Sequence, residues 1–320
     1  IKYFIIKKRE IFYMKSAYLI LILLISFVLS SFQFTYGQKN EQQPFYNMSN
    51  KQIDSLLKEI SKKPWTITQK MDYYSRRFLG TPYNFSCVGD GPYAIMEPYP
   101  LVNFKETNCM SFCEHVLALS ISDYWDTFFD NLQNIRYKDG LIGMRTRNHY
   151  TMADWLPQNH WLLHDVTRQV GGAFTKKITR TISHRRFFAE KGIKDMTDVL
   201  PDRTLTIDYI PLDKLDEVEN NLKVGDVCAI IDGRFDNIFS AHMLMIMENK
   251  GEKVVRESTT RGMTTFDTPY RQWVKMMQTK YKDKYLGLAI MRVHDELNTP
   301  GRIIKPWDIP RLKKQFGKRK

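Results

Sequence analysis

The spacing of apolar residues changes once along this chain, from a helical to a strand period, and that change limits the folds open to it. After Ser49, residues Ile53, Leu56, Leu57 and Ile60 recur at helical spacing. A second helical pattern runs over about 66–78, with Gly80 where a helix stops. From Asn108 onward, Cys109, Phe112, Cys113, Val116 and Leu117 fall at i, i+3, i+4, i+7 and i+8, one helix face that must be buried. Beyond residue 200 the period becomes two: 204–210, 226–231, 241–247, 253–258 and 285–293 read as strands. Helices first and strands afterwards predict an α+β fold.

Between Gly80 and Val102 lies an irregular stretch rich in Gly, Pro and Tyr, and loops of that length are usually functional or draped over a domain. No internal repeat, low-complexity tract or linker divides residues 38–320, so the expected partition is one domain with an N-terminal helical extension. At 43% hydrophobic and 13% aromatic residues, the chain carries enough apolar material for a sizeable core.

Residues 14–37 have the shape of a secretory signal peptide: Lys15, an apolar run over 18–29, then small and polar residues up to Gly37, the expected cleavage point. The run is shorter than the about 20 residues a spanning helix needs, so no stable membrane anchor is expected after cleavage. Residues 1–13 precede the first methionine and are expected to be an over-extended reading frame rather than protein. Export places the mature chain in the periplasm or cell envelope.

Residues 1–37 hold five of the 48 basic and one of the 35 acidic side chains, which leaves 43 against 34, net +9. For an exported protein this balance favours anionic wall polymers or lipid head groups over nucleic acid, although the basic residues are dispersed. Only 311–320 is densely basic, and it reads as a frayed tail.

Four cysteines, Cys87, Cys109, Cys113 and Cys228, are too few for a disulfide scaffold of this size. Cys109 falls in the first turn of its helix, after two plausible caps, Thr107 and Asn108. Unpaired amides and the helix dipole stabilise a thiolate there. Cys113, one turn deeper, has the profile of a small buried hydrophobe.

Of the seven histidines, His242 alone sits in a strand-like apolar run, 133 residues after Cys109. Papain-like enzymes place a histidine about 130–150 residues beyond the nucleophilic cysteine, facing the helix start. A hairpin turning at Asn249-Lys250-Gly251 sets position 242 opposite 257 or 258, so Glu257 and Ser258 are both candidates to orient the ring. Glu257 is preferred, because a carboxylate also stabilises the protonated ring. The rival for the same residues is a zinc site drawn from Cys109, Cys113, His115, Cys228 and His242, against which stands the lack of a short-spaced ligand pair.

Ordered blocks now carry a resemblance: Phe78-Leu79-Gly80-Thr81-Pro82-Tyr83, Thr107-Asn108-Cys109-Met110-Ser111-Phe112-Cys113-Glu114, Arg136-Tyr137-Lys138-Asp139-Gly140, Arg147-Asn148-His149-Tyr150, Asp154-Trp155, Val224-Gly225-Asp226, His242 and Arg256-Glu257-Ser258-Thr259-Thr260. Together they resemble the NlpC-type cell-wall cysteine peptidases, in the N-acetylmuramoyl-L-alanine amidase-like branch. The chain departs from that pattern at Asn108, where the family usually has aspartate, and at Glu257, where it has histidine if Arg256 is the anchor.

The resemblance implies a papain-like fold and hydrolysis of the amide between the lactyl group of N-acetylmuramic acid and L-alanine, on peptidoglycan fragments such as anhydro-muropeptides. It implies Cys109 as nucleophile and His242 as base, with Tyr83 and Asn108 beside them, while Glu257 as third residue rests on the hairpin and its carboxylate and not on the resemblance. Arg147, His149, Tyr150, Asp154 and Trp155 would line a sugar or peptide pocket. No metal or organic cofactor and no nucleic acid is expected, and the chain is expected to be a monomer. The alternatives are a γ-D-glutamyl-diamino acid endopeptidase using the same machinery, and a wall-binding protein that has lost catalysis.

Overall fold

Two reciprocally capped helices open the computed structural model, which describes residues 42–317. The expected signal peptide (14–37) and residues 1–13 lie outside the described residues, and the compact unit begins at Pro44. Ser49 and Gln52 exchange side-chain and backbone hydrogen bonds at the head of α1 (Asn50–Ile60), and Thr66 and Gln69 do the same for α2 (Ile67–Arg76). Their apolar stripes, Ile53, Leu57 and Ile60 on α1 and Ile67, Met71 and Tyr74 on α2, are fully buried. Gly80 follows with φ +79°, a left-handed conformation that glycine adopts without strain, and its amide bonds the carbonyl of Thr265.

Helix α3 (Cys109–Ser120) is buried at every position from Ser111 to Ser120, not on one face alone, because α2, α4 (Trp125–Arg136) and the sheet enclose it. The sheet is antiparallel throughout. Its strands are β1 (Leu163–Asp165), β2 (Lys176–Ile182), β3 (Arg203–Pro211), β4 (Val227–Asp232), β5 (Ser240–Asn249), β6 (Glu252–Thr259), β7 (Thr264–Pro269) and β8 (Tyr285–Val293). Their order is β2-β3-β8-β4-β5-β6-β7, with β1 paired to β8.

Alternate side chains leave the sheet on opposite sides. Val227, Ala229, Met243, Met245 and Met291 pack toward the helices. Cys228, Ile230, Leu244, Ile246 and Ile290 pack beneath Tyr270, Trp273, Val274 and Met277 of α6 (Tyr270–Lys280), the helix that follows α5 (His184–Glu190) in chain order. With both faces covered, β4 is buried at all six positions. The five expected strands are all present. Of the unexpected ones, β2 carries lysines and threonines that cross-bond to β3, such as Thr179 to Thr206, so it lacks the apolar alternation that marks a strand.

The basic C-terminus corrects an expectation. Residues Ile309–Phe316 form α7, which buries Ile309, Leu312 and Phe316, and the Phe316 ring stacks on His294 at 4.0 Å. Arg311, Lys313 and Lys314 mark the wet side of an amphipathic helix, not a frayed tail, while 318–320 lie outside the described residues. Among the described residues, no helix is long and apolar enough to cross a membrane.

Candidate active site

Three connections fix the head of α3. The Asn108 side chain accepts from the Ser111 amide at 2.8 Å and donates to the Phe85 carbonyl at 2.9 Å, while Ser111 Oγ accepts from the Asn108 amide at 2.9 Å. Asn108 is therefore the cap and Cys109 the first helical residue. Thr107 is tied to the sheet instead: its hydroxyl meets Ser258 Oγ at 2.9 Å and Thr265 Oγ1 at 3.1 Å, and Ser258 also donates to its carbonyl. Ser258 thus anchors the chain entering α3 and does not face His242.

His242 pairs with Ile230 of β4, beside a bulge between Ile230 and Ile231. The β5–β6 ladder runs from Asn249 opposite Glu252 to Met245 opposite Arg256 and stops there. The expected facing of 242 with 257 or 258 is corrected by this register, which sets Glu257 in line with Leu244. A two-residue turn decides it, Lys250 and Gly251 both having positive φ. Positions 242 and 244 share a face, so Glu257 is the diagonal neighbour of His242, within reach of a long side chain. His242 Nε2 lies 2.8 Å from Glu257 Oε2, and Glu257 Oε1 accepts from Arg261 Nη2 at 2.6 Å. Arg261 in turn donates to Thr268 Oγ1 and lies over the Phe266 ring.

With Nε2 occupied, Nδ1 is the ring nitrogen left to face Cys109, close enough for the His242 charge to act on the thiol. Burial works against a Cys109 thiolate. The His242 charge and hydrogen bond, helped by the amides of Met243 and Met110, outweigh it and hold the thiol below its ordinary range. Burial likewise disfavours the imidazolium, yet Cys109 and then Glu257 push His242 up to about 10. Glu257, only 4% exposed, is kept ionised below the usual carboxylate range, since His242 and Arg261 overcome the effect of burial. The arrangement is a thiol, an imidazole and a carboxylate in series, each drawn toward its charged form by its neighbour against the effect of burial.

Cys109 and His242 open onto a cleft of about 750 Å³, with Glu257 buried behind the ring. Asn108, Arg147 and His149 line it with Cys109 and His242. Arg147 is bonded to Glu97 at 2.6 Å, and burial brings His149 down to about 4, so its ring is neutral and rests against Phe187. Tyr83 stands close enough to Cys109 for the thiolate to reinforce the upward push that burial gives its phenol.

Tyr150 lines an adjoining pocket of about 240 Å³. Asp154 is buried in a knot with His184 at 2.8 Å and Arg203 at 2.6 Å, and Trp155 is fully buried in the core. The structure therefore brings Arg147 and His149 to the cleft but not Asp154 or Trp155, because the helical turn at Thr151–Trp155 faces inward.

Sequence reasoning missed Glu97 and Lys191, bonded at 2.8 Å across the cleft lining, and the aromatic residues Phe85, Tyr99 and Phe235. The long 80–102 loop was the available signal for Phe85, Glu97 and Tyr99; Lys191 had none. As for the zinc rival, Cys113 and Cys228 are buried on opposite faces of the sheet, and His115 Nδ1 donates to the Ser111 carbonyl. Among the described residues, no three His, Cys, Asp or Glu side chains are placed to hold a metal ion.

No curated protein matches this chain in sequence. Solved structures do match in fold. A Legionella pneumophila protein of the DUF1460 family aligns with TM-score 0.67 and 19% identity over 76% of this chain and 94% of its own. A Bacteroides uniformis N-acetylmuramoyl-L-alanine amidase aligns with TM-score 0.57 and 23% identity over 72% and 99%. A Bacteroides fragilis protein provisionally named a xylanase aligns with TM-score 0.54 and 23% identity over 68% and 98%. At these identities the likeness is one of fold, a mixed arrangement of helices with an antiparallel sheet. The family follows from a sequence model, AmiA-like, described as N-acetylmuramoyl-L-alanine amidase-like, which matches residues 73–280, more than half of the chain. The chain belongs to the N-acetylmuramoyl-L-alanine amidase-like family.

Proposed function

We propose that this protein is an exported cysteine amidase of papain-like fold that cuts the bond between N-acetylmuramic acid and L-alanine in peptidoglycan fragments, acting as a monomer without metal or cofactor. The observation that carries the reading is the series Cys109, His242, Glu257, which joins the head of α3 to the sheet and presents its first two members to a cleft.

The thiolate of Cys109 attacks the lactyl carbonyl, and the Cys109 amide, an unpaired N–H of the first helical turn, donates to the developing oxyanion with Tyr83 beside it. As the C–N bond breaks, His242 gives its proton to the departing L-alanine amine and a thioester remains. A water then adds to the thioester carbonyl, His242 takes its proton, and the sulfur leaves. Glu257 holds the ring in line throughout.

Incubating the purified protein and its Cys109→Ala variant with defined muropeptides and intact sacculi, and weighing the products, tests this. Free muramyl sugar and an L-alanine-headed peptide are expected from the parent alone. Identical products from both proteins, or none from either, would refute the amidase reading. Cleavage between D-glutamate and the diamino acid would replace it with the endopeptidase.

A further inference from the structure

One cation in the cleft wall is held in place yet has no part in the proposed chemistry. Arg234 lines the cleft with Cys109 and His242, and it sits in the tip between β4 and β5, just past the strand ends that carry His242. That tip is pinned. The Asp232 amide donates to the Phe239 carbonyl at 2.8 Å and the Gly233 amide to the Lys284 carbonyl at 2.8 Å. The buried Arg180 donates to the carbonyls of Asp232 and Ile238.

The guanidinium of Arg234 is fixed along one edge and open along the other. Its Nε and Nη2 donate to the two oxygens of Asp232, at 3.2 and 2.6 Å, and the Arg234 amide donates to Oδ1 at 2.7 Å. Asp232 is fully buried, whereas the Arg234 side chain is 43% exposed, its guanidinium carbon 5.1 Å from the Phe235 ring and 5.7 Å from that of Tyr285. A guanidinium is planar, so with that fork on Asp232 the Nη1 group points away from it, and among the described residues Nη1 has no acceptor. Both Asp232 oxygens are already bonded, which offsets the repulsion an unpaired carboxylate would exert on an arriving anion. The other Arg and Lys side chains of the cleft lining, Arg147 and Lys191, are joined to Glu97 instead.

The position of this cation along the strands matches the length of a peptide leaving group. In the proposed mechanism His242 protonates the departing L-alanine nitrogen, so the peptide lies on the His242 side of the sulfur. His242 faces Ile230, and Asp232, which holds the guanidinium, faces Tyr285. Two residues of β4 therefore separate the levels of ring and guanidinium, about 7 Å at the rise of a strand. The first carboxylate of a stem peptide is the α-carboxylate of D-glutamate, because the chain continues through its γ-carboxyl. From the alanine nitrogen it stands two residues away, at most about 7 Å. A carboxamide in its place would fill the same volume without the charge-assisted bond.

We infer that Arg234 sets specificity on the peptide side of the cleft, binding the D-glutamate α-carboxylate of the leaving peptide through its Nη1 edge. The inference rests on the amidase reading for which bond lies at Cys109, and its test separates the two.

Two N-acetylmuramyl peptides that differ in one group, with D-glutamate or D-isoglutamine after L-alanine, are compared by kcat/KM in the parent, Arg234→Gln and Arg234→Lys. The parent is expected to favour the carboxylate by at least about tenfold, or about 1.4 kcal/mol. Arg234→Gln is expected to lose that preference and Arg234→Lys to regain part of it. Loss of the cation leaves Asp232 buried and unpaired and lowers stability, but a smaller folded fraction reduces both rates alike and leaves their ratio untouched. No preference in the parent, or an equal preference in Arg234→Gln, overturns the inference. Hydrolysis of both substrates at equal rates would thus keep the amidase and remove the role of Arg234. If neither substrate is hydrolysed the amidase reading falls, and calorimetric titration of L-alanyl-D-glutamate and L-alanyl-D-isoglutamine decides the inference alone. Tighter binding of the first by the parent, lost in Arg234→Gln, would then uphold it; equal binding of the two dipeptides, or none, would end it.

Discussion

Replacing Glu257 by Gln keeps the shape of the side chain and removes its charge, 2.8 Å from His242 Nε2 and almost wholly out of water. A pair of unit charges about 4 Å apart is worth about 4 kcal/mol at an effective dielectric of about 20. Partial exposure of the ring reduces this, and one pKa unit corresponds to about 1.4 kcal/mol, so a shift of about one to two units is expected. The sign depends on which form the carboxylate favours. It supports the imidazolium, so without it the His242 pKa falls from about 10 and the alkaline limb of activity moves to lower pH. Less imidazolium means less support for the Cys109 thiolate, and the acid limb moves up.

The active range thus narrows from both sides, with a loss of about 10²-fold at its centre as the ring loses its orientation. Arg261→Ala removes the cation 2.6 Å from the other Glu257 oxygen and must move the alkaline limb the opposite way, upward. The pH dependence of Cys109 alkylation reports both limbs without a substrate, and kcat/KM on a muropeptide reports them with one. Shifts of the same sign in the two variants, or no shift in Glu257→Gln, would refute the charge-series argument.

Three further outcomes are expected. Asn108→Ala removes the cap of α3 and its bond to Phe85, which costs about 1 kcal/mol in urea unfolding and slows Cys109 alkylation at mildly acidic pH; unchanged values in both would show that the cap does not support the thiolate. Glu257 and Asp154 have folded pKa values below the unfolded carboxylate range. They therefore contribute stability present above about pH 4 and lost as the pH falls through the folded values, so the melting temperature should drop steeply below pH 4 and less steeply in Asp154→Asn. Phe316→Ala should cost about 3 kcal/mol in chemical denaturation, because the ring is 4% exposed and stacked on His294, whereas an undocked tail would register no change.

Several parts of this protein are local enough to be read from residue order. Capping is decided within four residues, so the heads of α1 and α2 and the position of Cys109 in the first turn of α3 can be read from Ser49, Thr66 and Asn108. Alternation marks β3 and apolar or β-branched runs mark β4, β5, β6 and β8, and a lone histidine inside one of those runs marks His242. Where the pattern is weak the reading fails: β2 alternates among polar residues, and the basic end of α7 hides its apolar stripe at Ile309, Leu312 and Phe316.

The choice between Glu257 and Ser258 needed the register of one tight turn, since a slip of one residue exchanges the faces of every later side chain in the strand. Trp155 could not be assigned to core or pocket, because the turn that carries it has the same composition in either orientation. The walls of the cleft lay furthest from sight. Glu97, Arg147 and Lys191 come from three separate segments, and no spacing along a chain records which distant segments meet. Short-range order thus placed the thiol and the imidazole on their elements, while the charge series that joins them, and the cleft it opens onto, exist only after long-range packing has brought a helix end to a strand end.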